Sequence, residues 1–398
     1  MLKSRPATSH NLSFDNTEIA FRGKSNSDLT RAYWLFKFIS INFLTKIGPS
    51  ITNAALTLGL PIKSLIKATI FRQFCGGESI AECEQTVAQL HAGSVGSILD
   101  YSVEGEDDEE VFDHTCEEIM KTIRHADGDD RIPLTVFKVT GLGRFALLEK
   151  INAGQALESA EKSEFQRLSH RVDQICRLAH ELNVRVMIDA EESWIQDPID
   201  SMALEMMRRY NQEQVIVFNT YQLYRKDKLA SLQADITLAG SEQFMLGAKL
   251  VRGAYMEKER ERAVEMAYAS PIHTDKQSTD NDYNDALKFC ISKIDFVSFV
   301  AGTHNEFSCE LLTELLEEKG IPHNHEHIYF SQLLGMSDNL SFNLGEAGYN
   351  IAKYVPYGPL KAVMPYLFRR AEENTSVAGQ MGRELRLISA EMKRRKLK

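Results

Sequence analysis

Eight short β-rich runs, separated by stretches long enough for helices, predict an α/β chain folded as a (β/α)8 barrel with a helical region ahead of its first strand. Three observations carry that expectation: the number of runs, their alternation with amphipathic segments, and the polar residues gathered where they end. A closed barrel is favoured over an open doubly wound sheet because each run except the last is followed by room for a helix.

The elements follow in order. The polar start has no continuous apolar segment of the signal-peptide kind and is not an Arg-rich, acid-free transit sequence, so the cytoplasm is the expected location. From residue 27 to 92 the periodicity is helical with little strand signal. This divides the chain into a helical N-terminal region, 1–92, packing on a barrel, 93–398. Strands are expected at 95–101, 134–139, 184–188, 214–218, 248–251, 296–300, 327–330 and 350–355. Two acidic runs, 104–110 and 127–130, flank one expected helix and read as solvated faces or loops.

With 398 residues, 43% of them hydrophobic, the chain can bury a large core without disulfides or metals. Its formal charge of -10 argues against nucleic acid as a partner, which would require a basic face. The six cysteines, Cys75, Cys83, Cys116, Cys176, Cys290 and Cys309, form no CxxC pair and read as free thiols rather than a zinc site. The most apolar stretch, 34–71, is interrupted by Lys37, Lys46, Pro49, Pro61, Lys63 and Lys67 and leaves no run able to span a bilayer.

Barrel chemistry gathers at the C-terminal ends of the strands. Those ends carry Lys138, then Asp189 with Glu191 and Glu192, then Asn219, Arg252, and Thr303, His304 and Asn305; Lys249 lies within the fifth strand and Tyr354 in the eighth. Past the eighth strand, Tyr366, Arg369, Arg370 and Glu373 fall at helical spacing on one face. Adjacent guanidiniums repel unless an anion neutralises them, and arginine suits bidentate recognition of a carboxylate. A surface helix with an Arg/Glu salt bridge is the alternative.

Three features are decoys. Gly141, Gly143 and Ala146 imitate a dinucleotide fingerprint, but after the second strand rather than the first, and the helix that follows leads into a polar stretch, not quickly into a strand ending in an acid. His323, His325 and His327 alternate as metal ligands can, yet precede the seventh strand on the face opposite the mouth. The terminal KRRKLK is basic enough to touch anionic lipid, though a charged end most often frays into water.

Together these residues resemble the proline dehydrogenase family of flavin-dependent barrels. The resemblance covers most of the chain and is carried by KLVRGAY at 249–255, GTHN at 302–305, QLLGM at 332–336, KYVPYG at 353–358 and YLFRRAEEN at 366–374. Weaker matches are FKVT at 137–140, IDAEE at 188–192 and PIHTDKQSTD at 271–280. The chain has Asn219, Lys249 and Met256 where some bacterial members carry glutamine, arginine and tryptophan.

The resemblance implies that Arg369, Arg370 and Lys138 hold the carboxylate of L-proline while Leu333, Tyr354 and Tyr366 wall its ring, with Asp189 near the flavin. It implies FAD contacts at Asn219, Lys249, Val251, Gly253, Ala254, Tyr255, Lys276, Thr279, Thr303, His304, Asn305 and Glu373. It further implies a membrane quinone as electron acceptor and peripheral membrane contact, at the mitochondrial inner membrane if the source is eukaryotic. Rival readings are hydroxyproline oxidation, a non-catalytic amino-acid-binding barrel, and nicotinamide chemistry at the glycine string.

Overall fold

The structure is a computed structural model that describes residues 12–39, 63–102, 108–376 and 380–397. The first eleven residues, 40–62 of the apolar stretch and 103–107 of the acidic run lie outside it. Eight parallel strands close into a barrel in sequence order: β1 Gly96–Tyr101, β2 Leu134–Phe137, β3 Arg185–Ile188, β4 Val217–Gln222, β5 Leu246–Val251, β6 Val297–Gly302, β7 Ile328–Leu333 and β8 Ile351–Tyr357. β8 pairs with β1 over six residue pairs and so completes the ring, leaving no free edge to protect.

Strand parity sorts the side chains. Ile98, Val136, Met187, Phe218, Val300, Ala352 and Tyr354 point inward and fill the barrel. Their neighbours, Leu99, Phe137, Ile188, Val217, Leu250, Phe299 and Val355 among them, point outward into the larger core beneath the helices. The near-continuous apolar runs read from the sequence follow from this, since a strand in a parallel barrel is buried on both faces.

The helix Ile80–Ala92 packs against β1 and β8 and adds Cys83, Val87 and Leu90 to that core. A second core lies beside the barrel. Leu29, Ala32 and Phe36 of the helix Asn26–Ile39 meet Phe71, Phe74, Val363, Leu367, Leu387 and Ile388 there, so early helices pack on the helices Leu360–Ser376 and Gln380–Arg394. No helix among the described residues is long and apolar enough to cross a membrane.

All eight strands appear where the periodicity placed them, with one consequential shift. β4 begins three residues later than expected, at Val217, and runs to Gln222. Asn219 is therefore inside the strand, with the outward parity of Val217 and Tyr221.

The three decoys resolve into packing. At Gly143 a Cβ would stand 2.9 Å from the Leu168 side chain, so this glycine permits a close helix approach. His323 stacks on Tyr349 with its Nδ1 3.1 Å from the Ala347 carbonyl, and His327 Nδ1 lies 2.8 Å from that of Ile294. The basic tail is docked rather than frayed: Arg395 donates to the carbonyls of Lys24 and Phe21, each at 2.7 Å.

Candidate active site

A cavity of about 630 Å³ opens over the C-terminal ends of the strands. Its floor is a chain of charges that the barrel register brings together. Lys249 sits in β5 between outward Ala248 and Leu250, so its ammonium points inside. Asp189 follows β3, fixed by its backbone N–H to the Phe137 carbonyl at 2.9 Å. Lys138, just past β2, donates to Asp189 Oδ2 at 3.2 Å and lies 3.9 Å from Asp100 Oδ2 at the end of β1. Lys249 donates to Asp189 Oδ1 and, at 2.6 Å, to the Tyr354 hydroxyl.

Burial would raise the Asp189 pKa, but the two ammoniums outweigh it and hold the carboxyl below the ordinary carboxylate range. For Lys249 burial wins and lowers the pKa against the pull of Asp189. Burial, with Asp189 and Asp100 nearby, pushes the Tyr354 phenol well above its usual value, so it remains a neutral hydroxyl.

The helix Leu360–Ser376 forms one wall. Its first turn is tied down by the Leu360 N–H to Glu78 Oε1 at 2.9 Å. Val363, Tyr366 and Leu367 anchor it in the second core, and Tyr366, Arg369 and Arg370 line the cavity. The Arg370 guanidinium lies 5.1 Å from the Tyr366 ring centre and that of Arg369 6.0 Å from Tyr255. Arg370 is 6% exposed, so it does not stand on the surface. The side chain of Glu373 lies outside the described residues.

The β5 and β6 loops form the opposite side. Arg252 donates to Asp280 at 2.7 Å, Thr303 Oγ1 at 2.7 Å and Ser308 Oγ at 2.9 Å, which joins the two loops. At Gly253, with φ +145°, a Cβ would run into the Tyr224 ring, so bare backbone borders the cavity there. Enclosure, and then the Lys353, Arg370 and Arg252 cations, lower the His304 pKa and keep its ring neutral.

The structure brings together Lys138, Asp189, Leu333, Tyr354, Tyr366, Arg369 and Arg370, and with them Lys249, Val251, Gly253, Ala254, Tyr255, Lys276, Thr303, His304 and Asn305. Two expected contacts stand elsewhere. Asn219 faces the helices and donates to Asp200 at 2.9 Å, because of the strand shift described above. Thr279 is buried within the helix Lys276–Ser292, while Thr220, the inward neighbour of Asn219, lines the cavity.

Sequence reasoning missed Asp100, Glu306, Gln332, Met336 and Arg383 among the lining residues. Asp100 was within reach, being the last acid of a recognised strand. The lining sets Lys138, Lys249, Arg252, Lys276, Arg369, Arg370 and Arg383 against Asp100, Asp189 and Glu306, a positive surplus inside a chain of net charge -10. Such a cavity suits ligands carrying carboxylate or phosphate.

Comparison with known proteins agrees with this geometry. The sequence profile of the family described as "Proline dehydrogenase" matches residues 83–383. "Proline dehydrogenase 1, mitochondrial" of Dictyostelium discoideum is 33% identical over 96% of this chain and 74% of its own length. Its human namesake is 40% identical over 59% of this chain and 40% of its own length. Among solved structures, proline utilization A (PutA) from Bdellovibrio bacteriovorus, inactivated by N-propargylglycine, superposes with a TM-score of 0.73. It covers 95% of this chain and 41% of its own, at 20% identity, a likeness of fold. The profile match and the Dictyostelium alignment show that the chain belongs to the proline dehydrogenase family of enzymes.

Proposed function

We propose that the protein oxidises L-proline to Δ1-pyrroline-5-carboxylate with FAD as its cofactor, the first step of proline breakdown. The observation that carries this reading is the positive cavity, in which paired arginines face an aromatic and aliphatic wall. Arg369, Arg370 and Lys138 take the substrate carboxylate, for which planar guanidiniums offer bidentate donors. Leu333, Tyr354 and Tyr366 enclose the ring and fix its orientation, the main contribution a protein makes to such a reaction. Proline gives up hydride from the ring carbon beside nitrogen, together with the amine proton, leaving a carbon–nitrogen double bond. The cationic surroundings favour the neutral amine, from which hydride departs more readily.

The donor set supports a phosphate-bearing cofactor. Arg252, Lys276 and Arg383 supply positive charge beyond the floor cluster, and Thr303 and Asn305 supply polar groups. FAD, when bound, supplies the hydride acceptor at flavin N5. A membrane quinone is the proposed final electron acceptor, reached through peripheral contact with the membrane.

Proline is preferred over hydroxyproline on account of Tyr354, whose hydroxyl is engaged by Lys249 and occupies room that a ring hydroxyl would need. The deciding test is optical. The purified protein is expected to be yellow and to bleach anaerobically on addition of L-proline. Flavin-loaded protein that proline leaves unbleached sinks the assignment.

A further inference from the structure

A fully buried ammonium stands behind the cavity and has no part in the steps above. Lys353 lies in β8 between Ala352 and Tyr354, whose side chains fill the barrel, so its own side chain leaves on the other face. It is 0% exposed. Its Nζ donates to the carbonyls of Leu333 at 3.2 Å and Met336 at 2.6 Å, and it pairs with Asp338 Oδ1 at 2.9 Å. Withdrawing an ammonium from water is costly, and a well-packed apolar residue would serve packing alone at least as well. The charge is spent on one short loop.

That loop, 333–338, is held from every side. Lys24 pairs with the second oxygen of Asp338 at 2.7 Å, Gln73 donates to the Gly335 carbonyl at 2.8 Å, and the Ser337 N–H donates to Glu384 at 2.7 Å. The Ser337 hydroxyl meets His304 Nδ1 at 2.9 Å. Leu333 and Met336, whose carbonyls Lys353 grips, both line the cavity, and Leu333 is the register partner of Tyr354. The ammonium therefore holds the loop that leaves Leu333, beside Tyr354 in the wall, without touching the cavity.

We infer that Lys353 is a positioning residue that sets ring-size selectivity by holding the Leu333 side of the wall against Tyr354. The inference rests on the reading of Leu333 and Tyr354 as the ring wall. The test compares wild type with Lys353→Met, Lys353→Arg and Asp338→Asn, all flavin-loaded. It measures kcat and KM for L-proline and for its six-membered homologue L-pipecolate, and Kd for the non-oxidisable tetrahydrofuran-2-carboxylate from the flavin absorbance change.

In Lys353→Met, KM for proline and Kd for the analogue should rise about tenfold, short of the hundredfold that an ångström of misplacement costs. Its kcat should fall less, and the preference for proline over pipecolate should narrow. Lys353→Arg should restore part of each. Unchanged constants and an unchanged preference in folded Lys353→Met overturn the inference, whatever happens to Tm. If that variant does not accumulate, Asp338→Asn decides: a smaller shift in the same direction supports the inference and none overturns it. Wild type that proline does not reduce would overturn the ring-wall reading and the inference together, whereas active wild type with an indifferent Lys353→Met overturns the inference alone.

Discussion

Two buried carboxylates in this protein are built alike and sit in opposite surroundings. Asp189 lies between Lys138 and Lys249 inside the barrel, and Asp338 lies between Lys24 and Lys353 outside it. Both are held below the ordinary carboxylate range because flanking ammoniums outweigh burial. Around Asp338 the charges are closed off by packing, with Glu384 the further acid of the group. Around Asp189 they open onto a cavity that Arg369 and Arg370 also line. The same triad is thus a structural clasp where packing surrounds it, and part of a cavity floor where the barrel opens.

The comparison breaks if the two aspartates behave alike on substitution. Asp189→Asn and Asp338→Asn each strand a buried ammonium, Lys249 or Lys353, beside a partly buried one, and each should cost about 3–5 kcal/mol in denaturant unfolding. Only Asp189→Asn should also abolish most of the turnover. Removing a charge from the open side, as in Arg370→Met, should lower kcat/KM for proline by about two orders of magnitude through KM, with the flavin spectrum retained, since losing one partner of a buried ion pair costs about 2–5 kcal/mol.

Acid sharpens the contrast. The Asp338 carboxyl is held at about 2, against an ordinary 3.8. Its contribution, on the order of 2 kcal/mol, is complete above pH 3.8 and is lost as pH falls through 2. Unfolding free energy measured across that window should fall more steeply for wild type than for Asp338→Asn. Tyr354→Phe, which deletes an acceptor of the Lys249 ammonium, should cost about 1 kcal/mol and widen access for hydroxyproline, visible as a changed ratio of kcat/KM values. On the far face of the barrel, His325→Ala should leave kinetics untouched and stability within about 0.5 kcal/mol.

Much of the open side was legible in the sequence, and almost nothing of the closed one. Arg369 and Arg370 could be found because helical spacing is local, and Lys138 and Asp189 because a barrel strand announces its end by losing its apolar run. Asn219 was misjudged for the same local reason. The run 214–218 looked complete, whereas β4 starts at Val217, and a shift of this kind decides which face a side chain takes. Lys353 reads as one polar residue in a strand, since its partners come from Asp338 and, through it, from Lys24 more than 300 positions away. Arg383 lies beyond the arginine motif on a separate helix, and only the tertiary fold brings it to the cavity.

The second core has a consequence for how the chain is made. Leu29, Ala32 and Phe36 leave the ribosome more than 300 residues ahead of Val363, Leu367, Leu387 and Ile388, which cover them. At about 5–20 residues per second, the apolar face of the helix Asn26–Ile39 waits on the order of tens of seconds for its cover. The arginine wall of the cavity is made of the same late helix, which follows directly on β8, the strand that closes the barrel. During synthesis the site is therefore completed only once that late helix has been made and has packed on the early one.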